Sequence, residues 1–540
     1  MKRREFLQMT VAGSTTFALA GLSSCTQPGT ESETSVEKGV KPFDLDELTI
    51  VDLQAGMKSG KFTARSITEM YLERIKEIDQ QGPSLNSIIE LNPDALAIAD
   101  KLDEERGKNR VRSSMHGIPV LIKDNIDTAD RMTTTAGSLA LKGSIAAQDS
   151  FVAQKLRQAG AIILGKTNLS EWANFRSTSS SSGWSGRGGQ TRNPYALDRN
   201  PCGSSSGSGV AAAANLCSVA IGTETNGSVV CPSSANGIVG IKPTVGLVSR
   251  SGIIPIAHTQ DTAGAMARTV SDAATLLGVL TGMDPRDKAT QQSKGKAHGD
   301  YTRFLDAKGM TGARIGVARN YFGFHAKVDK LMEDAIETMK KLGAIMVDPA
   351  DIETRRKYGD SGFEVLLYEF KTDLNKYLAR LSTEVAVHSL QELIEFNEAN
   401  KDAEMPYFGQ EILHRAHEKG DLSSPEYKEA LKKVRRLSRD EGIDATLKKH
   451  RLDAIIAPTG GPAWVTDWVN GDHFSGGSSS PAARAGYPNI TVPAGFVHGL
   501  PVGISFFSRA YSEPVLIKIA YAFEQATKHR KRPQFLPHIV

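Results

Sequence analysis

A lysine at the end of an apolar run is the first residue of this sequence that could carry chemistry. Lys123 closes the run 117–123, so a strand there would draw its ammonium group out of bulk water. Burial disfavours the charged form of a lysine and lowers its pKa, and a neutral lysine can accept a proton near pH 7. The alternative, and the commoner arrangement, is a lysine whose amine reaches solvent at a strand end.

Two segments of small residues carry the serines that such a base could serve. The segment 203–209 could be a flexible linker, but it runs into an apolar stretch that favours a helix, which indicates a turn with cap residues and free amides. The segment 222–232 places backbone N–H groups beside Ser228, as an oxyanion hole requires. Serine needs a base to act as a nucleophile, and serine–lysine pairs are a known variant of the catalytic triad. Spacing alone leaves open whether the three segments meet.

Taken together, these segments resemble the amidase signature family. The matching runs are 203–207, 222–228 and 240–244, and the similarity extends over about 44–537, which is most of the chain. The resemblance implies hydrolysis of an amide bond without a metal or a cofactor, on a large mixed β-sheet flanked by helices.

The resemblance also implies a role for individual residues. Ser228 would be the acylated nucleophile, Ser204 the bridging serine that follows a cis peptide bond, and Lys123 the base of the relay. The backbone amides that would hold the oxyanion are those of Thr225, Asn226 and Gly227.

Departures from the family pattern narrow the range of expected substrates. Glu224 and Asn226 stand where the family has Asp and Gly, and Val230 stands where it usually has an arginine. Loss of that arginine removes a partner for an anionic group, which speaks against a component of a tRNA-dependent amidotransferase. The runs 182–190 and 203–208 are most similar to bacterial peptide amidases, which release ammonia from the C-terminal amide of a peptide.

Three residues near these runs are the predicted substrate contacts: Trp184, Arg187 and Val230. The alternative for Trp184 and Arg187 is a packed surface loop. Small aryl or aliphatic amides are the alternative substrates, and the alternative from another class is a non-catalytic surface lipoprotein that uses the same fold for binding.

The elements that must position these residues alternate between strands and helices along the chain. This alternation predicts an α/β fold with a largely buried sheet. The family resemblance implies that the sheet is large, mixed and twisted and is flanked by helices. A highly charged helical stretch at 350–450 could line a substrate cleft, act as a lid, or consist of solvated helices. The predicted strands are 117–123, 161–164, 216–222, 314–318, 344–347, 452–458, 489–492 and 502–507. The predicted helices include 46–58, 63–79, 93–106, 151–159 and 512–527.

The first 25 residues have the layout of an export signal. Two adjacent arginines, Arg3 and Arg4, precede a mild apolar run at 9–22 that is too short and too polar for a permanent membrane span. The run ends in Leu-Ser-Ser-Cys, which resembles a bacterial lipobox and predicts lipidation of Cys25, with plain cleavage as the alternative. The sequence therefore predicts an exported periplasmic or cell-envelope lipoprotein, held to a membrane only through the lipid.

A polar tether and a single large domain are predicted to follow the signal. Residues 26–42 are rich in Ser, Thr, Glu and Gly, which is typical of a flexible linker, and the amidase domain is placed at 43–540. The net charge of +4 is too small and too evenly spread to indicate a nucleic-acid partner. The expected partner is a small-molecule or peptide amide, with no obligate protein partner.

Other patterns indicate different chemistry but have the wrong context. Residues 160–167 match the phosphate-loop pattern GxxxxGK[ST], yet their variable positions are an apolar strand rather than an exposed turn. Glu411, His414 and His417 have the spacing of half a di-iron site, but no second copy exists in the sequence, and a solvated face explains them. No metal site is therefore predicted.

Three cysteines remain after the signal. They are Cys202, Cys217 and Cys231, and their odd number and irregular spacing predict free thiols rather than a disulfide framework or a zinc site.

Overall fold

The computed structural model describes residues 40–539. The predicted export signal with Cys25, and the tether as far as residue 39, lie outside the described residues. Within 40–539, no helix combines the length and the apolar character that crossing a membrane requires.

The strands of the described range form one large sheet and one small hairpin. Their bounds are β1 Ile88–Leu91, β2 Pro119–Lys123, β3 Ile162–Thr167, β4 Trp184–Ser185, β5 Gly189–Gln190, β6 Val219–Glu224, β7 Val239–Lys242, β8 Thr262–Ala267, β9 Arg314–Val317, β10 Ile345–Val347, β11 Ala454–Pro458, β12 Asn489–Val497 and β13 Leu500–Phe507.

The large sheet is mixed and has eleven strands in the described part of the chain. Their order is β1-β3-β2-β6-β8-β7-β12-β13-β11-β9-β10, while β4 pairs with β5 alone. Strands β3, β2 and β6 run parallel to one another, and β8 is antiparallel to both of its neighbours. The predicted α/β fold with a mixed sheet is confirmed. Because parallel neighbours end at the same edge, the carboxyl ends of β2 and β6 come together there.

Helices cover the sheet and form a separate cluster beside it. The α-helices are α1 Ile50–Ser59, α2 Ala64–Arg74, α3 Ala95–Gly107, α4 Phe151–Ala159, α5 Ser206–Ala213, α6 Val230–Ala235, α7 Val270–Leu280, α8 Ala326–Lys341, α9 Gly359–Leu378, α10 Leu390–Ala399, α11 Lys401–Glu404, α12 Glu411–His417, α13 Pro425–Arg435, α14 Asp444–His450, α15 Ser479–Ala485 and α16 Glu513–Thr527. Two π-helical turns, Ile75–Gln80 and Arg436–Ile443, extend α2 and α13.

The sequence located most of these elements but missed three strands of the sheet. The helix predicted at 151–159 is α4, and each predicted strand overlaps an observed one. The missed strands are β1, β7 and β8. Strand β8 reads TAGAMA, so its residues are too small to give the apolar pattern by which a strand is recognised, although all six are buried.

The helical region predicted at 350–450 is packed rather than merely solvated. Phe370 on α9 lies in one buried cluster with Trp172 and Ile256, and its ring centroid is 5.0 Å from that of Phe175. Tyr377, near the end of α9, donates a hydrogen bond to Asp127 at 2.7 Å. This region therefore forms a wall against the loops that follow the sheet.

The phosphate-loop pattern is a strand in the structure, as its apolar positions indicated. Gly160 ends α4 in the left-handed conformation, and residues from Ile162 onward belong to β3. Lys166 is fully buried and donates to the carbonyl oxygen of Ile126 at 2.7 Å and to Thr134 Oγ1 at 2.9 Å. Its amine is thus turned into the protein, where a phosphate cannot reach it.

The histidine-rich helix α12 places its acidic residue against the neighbouring loop. Glu411 accepts hydrogen bonds from the Thr178 amide at 2.6 Å and from Ser177 Oγ at 3.0 Å. These contacts give Glu411 a structural role at the start of the helix.

The prediction for the cysteines was wrong. Cys202 and Cys231 form a disulfide with their Cα atoms 6.0 Å apart, while Cys217 is a buried free thiol. The two partners are 29 residues apart in sequence. The fold brings the turn before α5 beside the first turn of α6, which a count of cysteines does not reveal.

Candidate active site

Lys123 is brought to the candidate site by the parallel pairing of two central strands. It is the last residue of β2, and Ile122 lies opposite Ile221 of β6. The strands therefore end together, and Thr223 near the end of β6 comes within reach of the lysine amine. Lys123 Nζ lies 3.0 Å from Thr223 Oγ1 and 2.8 Å from Ser204 Oγ.

The environment of Lys123 favours its neutral form. The side chain is completely buried, and this burial lowers the pKa of Lys123 to about 7, although the nearby carboxyl groups of Asp261 and Glu224 partly oppose the shift. The hydroxyl of Ser204 beside a neutral amine can give up its proton to it, which is the arrangement expected of a base.

Hydrogen bonds to neighbouring segments fix the turn that contains Ser204. The peptide bond between Gly203 and Ser204 is cis, as the family resemblance implied. The Ser204 carbonyl oxygen accepts a hydrogen bond from the Ser170 amide at 3.1 Å. The next hydroxyl, Ser205 Oγ, accepts from the Thr223 amide at 3.1 Å and donates to the Thr223 carbonyl oxygen at 3.0 Å. The turn is thereby attached to β6 beside Lys123.

The small residues of this turn are required by close packing. A side chain at Gly207 would collide with the backbone carbonyl oxygens of Ser87 and Asn168. The Gly207 amide donates to that Asn168 oxygen at 2.9 Å. The Ser/Gly composition thus reflects a packed turn, and the flexible-linker alternative is wrong for 203–209.

Ser228 lies in the turn that leaves β6. Its carbonyl oxygen accepts a hydrogen bond from the Ser205 amide at 3.1 Å, which joins the two serine-bearing turns. Gly227 has a φ of +90°, a conformation that glycine adopts readily. Ser228 is partly exposed, whereas Ser204 is buried. The structure therefore brings all three segments together.

Glu224 holds this turn in shape, a role that the sequence did not reveal. One of its carboxylate oxygens accepts hydrogen bonds from the amides of Val229 and Val230, at 2.8 and 3.0 Å. These bonds fold the chain back just after Ser228. A glutamate where the family usually has Asp still provides the acceptor.

Asp261 is a second carboxyl group whose place in the site the sequence did not indicate. It accepts a hydrogen bond from Thr225 Oγ1 at 2.6 Å and from the amides of Ile256 and Ala257, both at 2.8 Å. Burial raises the pKa of Asp261 to about 6, against the effect of these hydrogen bonds. The residue lies directly before β8, where no motif marked it.

A cavity opens beside Ser204 and Thr223. Its wall is formed by the loop 250–262 and by Asp373 of α9, which lies 2.6 Å from His258 Nδ1. Asn125, two residues after Lys123, also lines it and donates to Thr223 Oγ1 at 3.0 Å. The helical region at 350–450 thus contributes directly to the cavity wall.

The predicted substrate contacts lie around this site rather than within the cavity. Trp184 is buried against Tyr407 and Phe408, with ring centroids 5.7 and 5.1 Å away. Arg187 pairs with Glu90 and lies 3.6 Å from Asp124. Val230 is also buried, at the start of α6. Their roles toward substrate stay predictions.

Asn226, a predicted oxyanion-hole residue, is hydrogen-bonded through its side chain to the start of α15. Its side-chain oxygen accepts from Ser479 Oγ at 2.8 Å, and its side-chain nitrogen donates to Ser480 Oγ at 3.1 Å. The asparagine that replaces the family's glycine therefore attaches the Ser228 turn to α15.

A family model described as Amidase matches residues 66–517 of the chain. Among curated proteins, a probable amidase of Arabidopsis thaliana is 43% identical over 92% of this chain and 93% of its own length. A glutamyl-tRNA(Gln) amidotransferase component of Pseudomonas aeruginosa is 32% identical over 91% of this chain and 99% of its own length.

Among solved structures, the native peptide amidase of Stenotrophomonas maltophilia superposes with a TM-score of 0.87. It is 50% identical in sequence, and the match covers 92% of this chain and all of that one. The sequence identity to this peptide amidase is higher than to the amidotransferase component.

Proposed function

The chain belongs to the amidase family and is an amidase, and from this premise we propose that it removes ammonia from the C-terminal amide of peptides. The observation that carries the peptide substrate is the 50% identity to a peptide amidase of known structure, over 92% of this chain. The 2.8 Å contact between the buried Lys123 amine and Ser204 Oγ, beside the Ser228 turn, supports the proton relay.

Ser228 is the proposed nucleophile. It attacks the amide carbonyl carbon while its hydroxyl proton passes to Ser204, whose own proton passes to the neutral Lys123. The negative charge that develops on the carbonyl oxygen is held by the backbone amides of Thr225, Asn226 and Gly227. Donors already aimed at that oxygen lower the barrier without reorganisation, and the loss of one typically costs about 3–4 kcal/mol.

The same relay then runs in reverse. Protonated Lys123 returns a proton through Ser204 to the leaving nitrogen, the C–N bond breaks, and ammonia departs from an acyl-enzyme on Ser228. A water molecule then gives a proton to the relay and attacks the ester carbonyl carbon. The relay returns that proton to Ser228 Oγ as the ester C–O bond breaks and the carboxylic acid is released. This scheme uses the neutral lysine that burial favours.

Peptide amides are favoured over the amidotransferase reaction by two observations. Val230, where the family usually has an arginine, is buried and uncharged, so it offers no partner for an anionic group. The sequence identity to a peptide amidase of known structure is 50%, against 32% to the amidotransferase component.

The deciding experiment measures ammonia release from a dipeptide amide, N-acetyl-Ala-Phe-NH₂, by the wild type and by Ser228→Ala. Release by the wild type and its loss in the variant are expected. Ser233→Ala is the matched control, because this nearby buried hydroxyl has no hydrogen-bond partner among the described residues. Wild-type protein that releases no ammonia from the peptide amide, yet hydrolyses benzamide or is labelled by a fluorophosphonate, would replace the peptide substrate with a small amide.

We further propose that the protein is exported and lipidated at Cys25. The twin arginines and the Leu-Ser-Ser-Cys run support this, and the Cys202–Cys231 disulfide is the kind of bond that persists in oxidising compartments. Incorporation of a palmitate analogue into the wild type, absent in Cys25→Ala, is expected. Equal incorporation in the two proteins would exclude Cys25 as the lipidation site.

A further inference from the structure

The disulfide connects the two turns that carry the serines. Cys202 lies two residues before Ser204, and Cys231 lies three residues after Ser228. We propose that Cys202 and Cys231 are positioning residues: their disulfide holds the Ser204 turn against the Ser228 turn and so sets the rate at which Ser228 is acylated. This inference rests on the proposed function of the two serines.

Each cysteine is hydrogen-bonded into the turn that it would hold. The carbonyl oxygen of Cys202 accepts from Ser206 Oγ at 2.6 Å, and its amide donates to Asn200 Oδ1 at 2.8 Å. The amide of Cys231 donates to the carbonyl oxygen of Gly227 at 2.7 Å. A movement of either sulfur is therefore passed directly to the neighbouring serine turn.

Non-covalent bonds also join these turns, and they would keep the fold when the disulfide is removed. The Ser205 amide donates to the Ser228 carbonyl oxygen at 3.1 Å, and Asn236 Nδ2 donates to the Pro201 carbonyl oxygen at 2.9 Å. The expected loss is thus in the precision of the relay rather than in folding. Misplacement of a catalytic group by about 1 Å can lower a rate on the order of 100-fold.

An aromatic side chain partly covers the disulfide. Cys202, Ala235 and Trp464 form a small buried cluster, with Cys231 packed against it. Trp464 is held by its indole nitrogen, which donates to Asp472 at 3.1 Å. Cys202 is buried in this cluster, whereas Cys231 stays partly exposed, so the bond is only partly covered and a reductant in solution can reach it.

The first test compares the wild type with the Cys202→Ala/Cys231→Ala double variant by fluorophosphonate labelling of Ser228. The final labelled fraction counts correctly folded molecules, and the rate constant reports how well the serines are positioned. We expect an unchanged final fraction with a rate constant about 10- to 100-fold lower. The control is Cys217→Ala, since Cys217 is a buried free thiol outside both turns, and its rate constant should stay within about twofold of the wild type.

A purely stabilising disulfide gives a different result. In that case the melting temperature falls while the rate constant, measured well below it, equals that of the wild type, and the inference is overturned. The pH at which activity is half lost on the acid side should be the same in both proteins, because Lys123 stays buried in the variant and its burial is the main cause of its lowered pKa. Absence of labelling in the wild type would instead overturn the proposed function, and this inference with it.

A second measurement covers the case in which the double variant does not fold. Tris(2-carboxyethyl)phosphine reduces the wild-type disulfide to two thiols, and the phosphine takes an oxygen from water to become its oxide. The labelling rate should fall in proportion to the reduced fraction, and it should recover when oxidised glutathione re-forms the bond and is itself reduced. An unchanged rate in fully reduced protein would overturn the inference.

Discussion

Two buried lysines on adjacent strands of this sheet show what distinguishes a base from a structural cation. Lys123 on β2 and Lys166 on β3 are both completely buried, and burial lowers the pKa of each. The amine of Lys123 lies between the hydroxyls of Ser204 and Thr223, whereas that of Lys166 donates to the carbonyl oxygen of Ile126 and to Thr134 Oγ1.

The difference lies in the neighbours rather than in the burial. Carboxyl groups oppose the effect of burial at both lysines, but the Ser204 hydroxyl beside Lys123 lines the cavity, whereas the Thr134 hydroxyl beside Lys166 is not among the residues that line it. A buried lysine therefore becomes a candidate base only when the group beside it can exchange a proton with substrate. Substitutions at both lysines, and a titration of Lys123, test this contrast.

Lys123→Met should give the largest effect. Removal of the base is expected to lower kcat/KM by roughly 10²- to 10⁴-fold, and the melting temperature should not fall, because an apolar side chain fits the buried position. Ammonia release and thermal unfolding measure the two effects. Retention of full activity in this folded variant would remove Lys123 from the relay.

Lys166→Met should lower the stability of the protein and leave the reactivity of Ser228 unchanged. Loss of the amine removes its hydrogen bonds to the buried carbonyl oxygen of Ile126 and to Thr134 Oγ1, which typically costs about 1–3 kcal/mol of the free energy of unfolding. The rate constant for labelling of Ser228 in the molecules that remain folded should match the wild type. Denaturant unfolding measures the stability, and a variant as stable as the wild type would contradict the structural role of Lys166.

The pH profile of the wild type should follow the titration of Lys123. With its pKa at about 7, the neutral form is lost as the pH falls, so kcat/KM should decline about tenfold per unit well below pH 7. Because the unfolded chain keeps the ordinary, higher pKa and binds the proton more tightly, the contribution of Lys123 to stability rises with pH between about 7 and 10.5. A rate that stays flat down to pH 4 would contradict the neutral lysine.

Asp261→Asn should give the smallest effect, a shift in the acid limb of the pH profile that reports the pKa of Lys123. The Asp261 carboxylate raises the pKa of Lys123, so its removal should lower that pKa and move the acid limb of the profile to lower pH, by about one unit or less. The same substitution at Asp373, which also lines the cavity but is hydrogen-bonded to His258, is the control. A shift toward higher pH would contradict the assigned electrostatics.

The family resemblance singled out Lys123, Ser204 and Ser228, whose catalytic roles stay predictions. The structure places Lys123 at the end of a buried strand beside Ser204 and joins the turns of the two serines. Glu224 was noticed only as a departure from the family pattern, and its bonds to the amides of Val229 and Val230 became visible only in the structure.

Other parts of the site depend on contacts between distant segments, which leave no local pattern. Asp261 reaches Thr225 across 36 residues, and the cysteines pair across 29. Strand β8 is built of small residues, so its place in the sheet follows from its neighbours β6 and β7 and not from its own composition. Phe370 becomes part of the core only because α9 packs against the loops at 172 and 256.

That packing of α9 has a consequence for exchanging parts between related enzymes. The helix supplies Asp373 to the cavity wall and Phe370 to a buried cluster. One stretch of chain therefore affects both substrate specificity and stability. A chimera that grafts only the cavity-facing residues of a relative onto α9 would inherit a mismatched core. The natural unit for such a graft is the whole region 350–450 together with the loop 250–262 against which it packs.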